Sequence, residues 1–301
     1  MKLWMNGTIM EPSEAVIPVS DHGFLYGMGL FETLRTYKGE PFLLEHHAER
    51  LSMGCKELRI GFRPDAARLR GVIQELLAAN AGEIGSGDAY LRLSVSAGES
   101  PLGLPDPEGY RRPNVVLMMK PLAPPVFPPQ PKPLALLRIR RSSPEGRIRH
   151  KSFHYMNNIV GKWELADREL PAGTEGLFLN ESGFVTEGIV SNVFSVRDGK
   201  LATPAASTGL LPGITRRFVC ELAEKLGITV AEGHYTWKEL VAADELFVTN
   251  SVQEIVPIDR LFDGEDRTVR LWQAEEGSVT AKLAGEYRSA ADDGKGAHKY
   301  E

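Results

Sequence analysis

The chain has 301 residues, of which 42% are hydrophobic and 25% are charged, as in ordinary globular proteins. Its 35 lysines and arginines against 40 aspartates and glutamates give a formal charge of −5, so there is no general positive excess for holding nucleic acid or an anionic membrane. The sequence has no run of about 18 apolar residues, and its first residues lack the pattern of a signal peptide. We therefore expect a cytoplasmic protein with no membrane or nucleic-acid partner.

Residues 1–120 predict a small mixed α/β domain. Asn6 and Gly7 lie between apolar arms and predict a tight hairpin turn. Beyond the hairpin, apolar periodicity predicts two helices and then two strands, at residues 43–59, 65–80, 89–98 and 114–120. His46 and His47 are adjacent on the first helix and point in different directions, so they predict a helix-face pair rather than a metal site.

Seven prolines fall within residues 121–133, which predicts a stiff linker between two domains. Residues 134–301 then predict a larger, β-rich α/β domain. Its predicted elements are a strand at 134–140, a helix at 152–169, strands at 176–180, 184–188, 192–196 and 200–204, and a helix at 214–227. We expect the tail after about residue 288 to be frayed or disordered.

A basic cluster precedes the second predicted helix. Arg147, Arg149, His150 and Lys151 fall within five positions, and aromatic and amide side chains follow at once. A charge run is usually a solvated face, but Lys151 is also a candidate reactive amine. Two arginines on the same extended face would favour its free-base form.

Three other polar patterns are each ambiguous. Residues 213–215 are predicted to begin a helix. The free backbone N–H groups there could bind an anion, or the segment could be an ordinary helix start. Residues 249–251 are short polar side chains suited to a phosphate or to a turn. Glu187 lies among aliphatic residues, either facing solvent or held in a site opposite a fixed positive charge.

These features together predict one ligand. Pyridoxal phosphate has an aldehyde that condenses with a lysine amine, a phosphate that suits a helix N-terminus, and a ring nitrogen that needs a partner. No metal is expected, because no spacing typical of a metal-binding motif occurs.

The order of motifs resembles the fold-type IV pyridoxal-phosphate enzymes, the class IV aminotransferase family. The matching segments run from about residue 1 to 260 and include "DHGFLYGMGLFETLRTYKGEPFLLEHHAERL", "HKSFHYMNNIVGKWEL", "GLFLNESGFVTEGIVSNVF", "TPAASTGLLPGITRRF" and "FVTNSVQEIVPI". The resemblance implies an α/β fold with a small N-terminal domain, a larger C-terminal domain and the cofactor between them. It also implies a homodimer.

The resemblance further implies site residues. Lys151 matches the lysine that carries the cofactor, Glu187 matches the carboxylate on the pyridine nitrogen, and Tyr155 matches a tyrosine near the phenolic oxygen; these are the expected catalytic residues. The other expected cofactor-binding residues are Arg50, Ser191, Asn192, Ile214, Thr215, Asn250 and Ser251. The arginines that could bind substrate carboxylates remain open among Arg92, Arg141, Arg147 and Arg149.

Within the family, the sequence is most similar to the 4-amino-4-deoxychorismate lyases of Gram-positive bacteria. The similarity lies in "PEG" before Lys151, in "KSFHYMNN" and in "TRRF", and it implies formation of 4-aminobenzoate and pyruvate. Ala97 stands where the D-amino acid aminotransferases carry an arginine. Branched-chain or D-amino acid transamination is the alternative. The non-enzymatic alternative is a binding module whose basic residues 147–151 bind an anionic partner.

Overall fold

The computed structural model describes residues 1–85, 87–272 and 277–294, which form two compact units. Unit 1 comprises residues 1–124, 150–154 and the described residues from 290 onward, and unit 2 comprises residues 125–149 and 155–289. Within these described ranges, no helix has the length and apolar character needed to cross a membrane.

Unit 1 is a six-stranded sheet with helices. Its elements are β1 (Leu3–Met5), β2 (Thr8–Met10), α1 (His22–Tyr26), β3 (Gly29–Tyr37), β4 (Glu40–Pro41), α2 (Leu44–Glu57), α3 (Ala66–Ala79), α4 (Ala81–Ile84), β5 (Asp88–Ser96) and β6 (Asn114–Leu122). The strand order is β2-β1-β6-β5-β3-β4. Asn6 and Gly7 both have positive φ, which confirms the predicted hairpin.

The two faces of this sheet have different roles. On β3, Leu30 and Leu34 join the core that also contains Leu51 of α2 and Ile73 of α3. Because side chains alternate along a strand, Phe31 points to the opposite face. The sheet therefore packs one face on its helices and presents Phe31 on the other.

Unit 2 is built on a nine-stranded sheet. Its elements are β7 (Lys132–Leu136), α5 (Met156–Ala166), β8 (Glu175–Leu179), β9 (Val185–Gly188), β10 (Asn192–Arg197), β11 (Lys200–Pro204), α6 (Ile214–Lys225), β12 (Val230–Gly233), α7 (Trp237–Val241), β13 (Glu245–Asn250), β14 (Glu254–Phe262), β15 (Thr268–Leu271) and α8 (Val279–Asp292). The strand order is β12-β11-β10-β13-β14-β7-β8-β9, with β15 beside β14. The predicted mixed α/β class is confirmed.

Three predicted boundaries differ from the structure. The ends of the proline-rich segment are strand residues, because β6 continues to Leu122 and β7 begins at Lys132. β7 lies between β14 and β8, and it tolerates Pro133 because the register of β14 shifts opposite that residue. The strand predicted at 134–140 ends at Leu136.

The helix predicted at 152–169 begins later, at Met156, because Lys151, Ser152 and Phe153 pair with β3 instead. The tail does not fray at residue 288. Helix α8 continues to Asp292 because its apolar side chains, including Tyr287 and Ala291, are buried. The rest of that prediction concerns residues 295–301, which lie outside the described residues.

A buried ionic network joins α2 to β3. Arg50 of α2 donates from Nε and Nη2 to the two carboxylate oxygens of Glu32, at 2.8 and 2.5 Å. Nδ1 of His47 lies 2.7 Å from Glu32 Oε2. Glu32 and His47 are buried, so His47 lies on the inner face of α2.

Burial and charge set the protonation of this network. Burial raises the pKa of Glu32, but the charge of Arg50 and the bond to His47 outweigh burial and lower it to about 2. Burial lowers the pKa of His47, and the charges of Arg50 and Lys151 add to this effect, although Glu32 opposes it. His47 is therefore a neutral imidazole that donates its Nδ1–H to Glu32.

This assignment predicts how stability depends on pH. Below the ordinary histidine pKa of 6.5, unfolded His47 binds a proton that folded His47 does not. The free energy of unfolding therefore falls with acidification, at up to about 1.4 kcal/mol per pH unit for this one group. His47→Gln lacks this titrating group, so its free energy of unfolding should fall less than that of the wild type between about pH 7.5 and about pH 5.5. Urea denaturation at the two pH values measures this difference. His46→Gln, a half-buried neighbour on the same helix, is the control and keeps the wild-type slope. Equal slopes in His47→Gln and the wild type contradict the assignment.

Candidate active site

Lys151 belongs to unit 1, where its backbone pairs with the edge of β3. Phe31 N donates to Lys151 O at 2.8 Å, and Phe153 N donates to Gly29 O at 3.0 Å. Because this pairing is antiparallel, Lys151 lies opposite Phe31 and its side chain projects on the same face. The backbone of a strand edge, rather than the start of α5, thus positions the lysine.

Three glycines make room for the side chains around Lys151. A Cβ at Gly27, Gly29 or Gly54 would collide with or crowd His154, Phe153 and His150 respectively. In the sequence, the spacing of Gly23, Gly27 and Gly29 does not match a dinucleotide fingerprint. The role of Gly27, Gly29 and Gly54 depends on the close approach of residues 150–154 to the rest of unit 1.

Arg50 is held by Glu32, as described above, and its side chain is 19% exposed. Two parallel N–H···O bonds fix the plane of the guanidinium group. The sequence identifies Arg50 as a candidate phosphate ligand but gives no sign of Glu32, which is buried and distant in sequence.

Glu187 of β9 is buried in unit 2 and faces two arginines. Arg141 Nε donates to Glu187 Oε1 at 2.8 Å, and Arg149 Nε lies 3.7 Å from the same oxygen. The backbone N–H of Leu211 donates to Oε2 at 2.9 Å. The alternative of a solvent-facing Glu187 is wrong, because its carboxylate is buried and two guanidinium groups and one N–H converge on it.

Arg141 is in turn fixed by the start of α5. Its Nη1 donates to Asn157 Oδ1 at 2.7 Å and to Asn158 Oδ1 at 3.2 Å. Asn158 also donates to the carbonyl of Ile189, beyond Glu187 in sequence. The two asparagines of the "MNN" segment therefore orient the arginine that holds Glu187.

Arg149 has other partners as well. Its guanidinium donates to the carbonyls of Gly209, at 2.6 Å, and Ser142. Burial and the charge of Arg141 lower the pKa of Arg149, while Glu187 raises it. Arg149 is thus part of the buried cluster, whereas Arg147 is exposed to solvent.

The start of α6 has the features of an anion site. Its N-cap is Gly213, which has no side chain to cap the first backbone N–H groups. A Cβ at Gly213 would collide with Asn192 Oδ1, so the close approach requires glycine. Thr215 Oγ1 lies 3.4 Å from Ser251 Oγ, which brings together two of the predicted phosphate ligands beside Ile214.

Two buried hydroxyl groups lie beside or on strands β10 and β13. Ser191 Oγ and Thr249 Oγ1 are buried and have no hydrogen-bond partner among the described residues. Asn192 is paired with Thr249 across β10 and β13, and its Nδ2 donates to Leu211 O at 2.9 Å. Buried hydroxyls that lack a protein partner suit a polar ligand. The sequence alone does not distinguish Thr249 from the other short polar residues at 249–251.

Two other predicted residues have different surroundings. Asn250 Oδ1 accepts from Val252 N and Gln253 N, so its side chain acts as a turn former. Tyr155 is half-buried at the N-cap of α5. Any role of either residue in binding the cofactor stays a prediction.

The residues present fit pyridoxal phosphate. Unit 2 supplies a helix start with hydroxyl groups for a phosphate, and a buried carboxylate for a ring nitrogen. Unit 1 supplies the lysine amine and the arginine. The structure thus groups the predicted residues into one set in each unit.

Comparisons with known proteins agree with this chemistry. The profile of the family described as amino-transferase class IV matches residues 29–261. The aminodeoxychorismate lyase of Bacillus subtilis (strain 168) is 42% identical over 259 residues, which cover 86% of each chain.

Solved structures show the same fold. The 4-amino-4-deoxychorismate lyase from Pseudomonas aeruginosa has a TM-score of 0.79 at 31% identity, covering 96% of this chain and 99% of that one. A branched-chain aminotransferase from Thermoproteus uzoniensis has a TM-score of 0.83 at 30% identity, covering 97% and 95%. The chain therefore belongs to the class IV aminotransferase family and is a pyridoxal-phosphate-dependent enzyme.

Proposed function

We propose that the protein is an aminodeoxychorismate lyase, which converts aminodeoxychorismate into 4-aminobenzoate and pyruvate. The observation that carries the proposal is the 42% identity, over 86% of both chains, with the lyase of Bacillus subtilis. Two sequence features support it: Ala97, where D-amino acid aminotransferases carry an arginine, and the lyase-like segment "KSFHYMNN". The geometry gives that segment a task, since Asn157 and Asn158 hold Arg141 against Glu187.

The proposed roles follow from the site. Pyridoxal phosphate, when bound, supplies an electron sink for the carbon that loses its proton. Lys151 would hold the cofactor covalently and, as a free amine, take that proton and deliver it to the departing three-carbon fragment. Glu187, held by Arg141, would bind the protonated ring nitrogen. Thr215, Ser251 and Arg50 would hold the phosphate.

Branched-chain transamination is the second candidate. The Thermoproteus uzoniensis enzyme shares the fold over 97% of this chain. Arg92 stands over the ring of Phe31 in unit 1 and is a candidate for a substrate carboxylate. Both activities would use the same lysine and carboxylate, so only the requirement for a second substrate separates them.

We also propose a homodimer. Val16, Val19 and Phe24 of unit 1 are 68%, 77% and 71% exposed, which supports a surface that a second copy would cover. A cytoplasmic location stays a prediction from the sequence.

The requirement for an acceptor tests the lyase. With aminodeoxychorismate and no keto acid, we expect many turnovers, with 4-aminobenzoate and pyruvate formed in equal amounts. A lyase restores its cofactor in each cycle, whereas an aminotransferase without acceptor stops after one turnover. Product analysis by chromatography measures both products. Untouched aminodeoxychorismate, together with sustained turnover of leucine or D-alanine that depends on 2-oxoglutarate, overturns the proposal in favour of an aminotransferase.

Replacement of the lysine tests the catalytic amine. Lys151→Ala should lose the visible absorption band of the lysine-bound cofactor and lower kcat by roughly 10⁴-fold, because it removes both the covalent link and the proton carrier. Lys162→Ala is the control: Lys162 is exposed on α5, and its removal should change kcat less than about twofold. Near-normal turnover in Lys151→Ala would rule out this mechanism.

Replacement of the carboxylate tests the ring partner. Glu187→Gln should keep most of the cofactor affinity but lower kcat by roughly 100-fold, since the neutral amide no longer favours a proton on the ring nitrogen. Spectroscopic titration with cofactor and steady-state kinetics separate the two quantities. Glu181→Gln, at an exposed turn beyond β8, is the control. A variant that loses affinity alone, with unchanged kcat, shows that Glu187 has another role.

A further inference from the structure

Two cations of unit 1 lie over one aromatic ring. Arg92 Cζ is 3.7 Å and Lys151 Nζ is 4.6 Å from the centroid of the Phe31 ring. Phe31 is only 3% exposed, so the ring is shielded from water. Both distances lie within the range in which a cation is attracted to the negative face of an aromatic ring.

The sheet places all three side chains on one face. On β3 and β5, Phe31 pairs with Ser94, and Thr33 pairs with Arg92. Phe31 and Arg92 are therefore diagonal neighbours on adjacent strands. Lys151 approaches from the other edge of β3, opposite Phe31 in the backbone pairing. The contact with the ring thus follows from strand register and not from a loop conformation.

We propose that Phe31 is a positioning residue that holds the ammonium form of Lys151 when this lysine is not bound to the cofactor, and that Arg92 weakens this hold by competing for the same ring. The inference rests on the proposed role of Lys151. A lysine that takes a proton from substrate must keep it until the departing group receives it. An aromatic face stabilises the ammonium without forming an ion pair, which would hold the proton more tightly.

Arg92 makes the interaction adjustable. Two like charges on one ring repel each other and share its attraction. A carboxylate bound to Arg92 neutralises one of these charges, so the ring then attracts the ammonium of Lys151 more strongly. Phe31 thereby connects an anion at Arg92 to the protonation of Lys151.

Other charged groups near Lys151 belong to neighbouring elements. The charge of Lys151 contributes to the lowered pKa of His47 in α2. His47 contacts Glu32, which also binds Arg50. His150 Nε2 lies 3.2 Å from Glu57 of the same helix. These groups stay unchanged in variants of Phe31, so such variants isolate the contribution of the ring.

The test measures the reactivity of Lys151 in the full-length protein freed of cofactor. Limited acetylation with acetic anhydride is followed by peptide mass spectrometry, with Lys162 as the internal reference. At about pH 7.5, Phe31→Leu should be acetylated at Lys151 about 3- to 10-fold faster than the wild type, because the ammonium is no longer stabilised. Phe31→Tyr keeps the aromatic face and should stay within about twofold of the wild type.

The pH profile distinguishes a change in the protonation of Lys151 from a change in its accessibility to the reagent. The excess rate of Phe31→Leu should shrink at about pH 10.5, where an ordinary lysine amine is about half unprotonated. The same excess at both pH values means that the smaller side chain only opens access, and this overturns the proposal, as does an unchanged rate at about pH 7.5.

Arg92→Gln gives a second test, with the opposite sign. Removing the competing cation should slow acetylation of Lys151 at about pH 7.5 by about 3-fold. A faster or unchanged rate contradicts the proposal, even if Phe31→Leu does not fold. The assay contains neither substrate nor cofactor, so its result stands whether or not the protein proves to be a lyase.

Discussion

A carboxylate taken out of water needs opposite charge or hydrogen-bond donors, and each unit of this protein contains a buried glutamate that is met by arginine. In unit 1, Glu32 lies beneath α2 and is met by Arg50 and His47. In unit 2, Glu187 lies at the end of β9 and is met by Arg141 and Arg149. Removal of either arginine partner would leave an uncompensated charge in the interior, which costs more than the pair itself contributes. The two clusters therefore constrain the surrounding backbone tightly.

The two clusters fix different parts of the chemistry. The Glu32 network sets the plane of a guanidinium group that is suited to phosphate. The Glu187 cluster holds a carboxylate that is proposed as the partner of a pyridine nitrogen, and Asn157 and Asn158 extend the cluster into α5. These asparagines, a few residues beyond Lys151, thereby orient the arginine that binds a carboxylate about thirty positions later. This linkage gives a physical reason for the paired asparagines in "KSFHYMNN".

The environment of Lys151 is different in kind. Its backbone is held by the edge of β3, and its side chain contacts the ring of Phe31. In the proposed mechanism Lys151 carries a proton, and a contact with an aromatic ring holds an ammonium group less firmly than a strong ion pair does. Each unit therefore contains a buried carboxylate held by arginine, and unit 1 also contains an amine beside an aromatic ring.

The sequence by itself determined the fold class, the hairpin at Asn6 and Gly7, most helices and strands, the family and the cofactor. It did so because periodicity, turn residues and motif order are local properties of the chain. Only the tertiary structure revealed Glu32 beneath Arg50, the pairing of residues 151–153 with β3, the strand that includes Pro133, and Phe31 beneath two cations. Each of these depends on residues that are distant in sequence and meet through strand register and helix packing. No window of local sequence contains both partners.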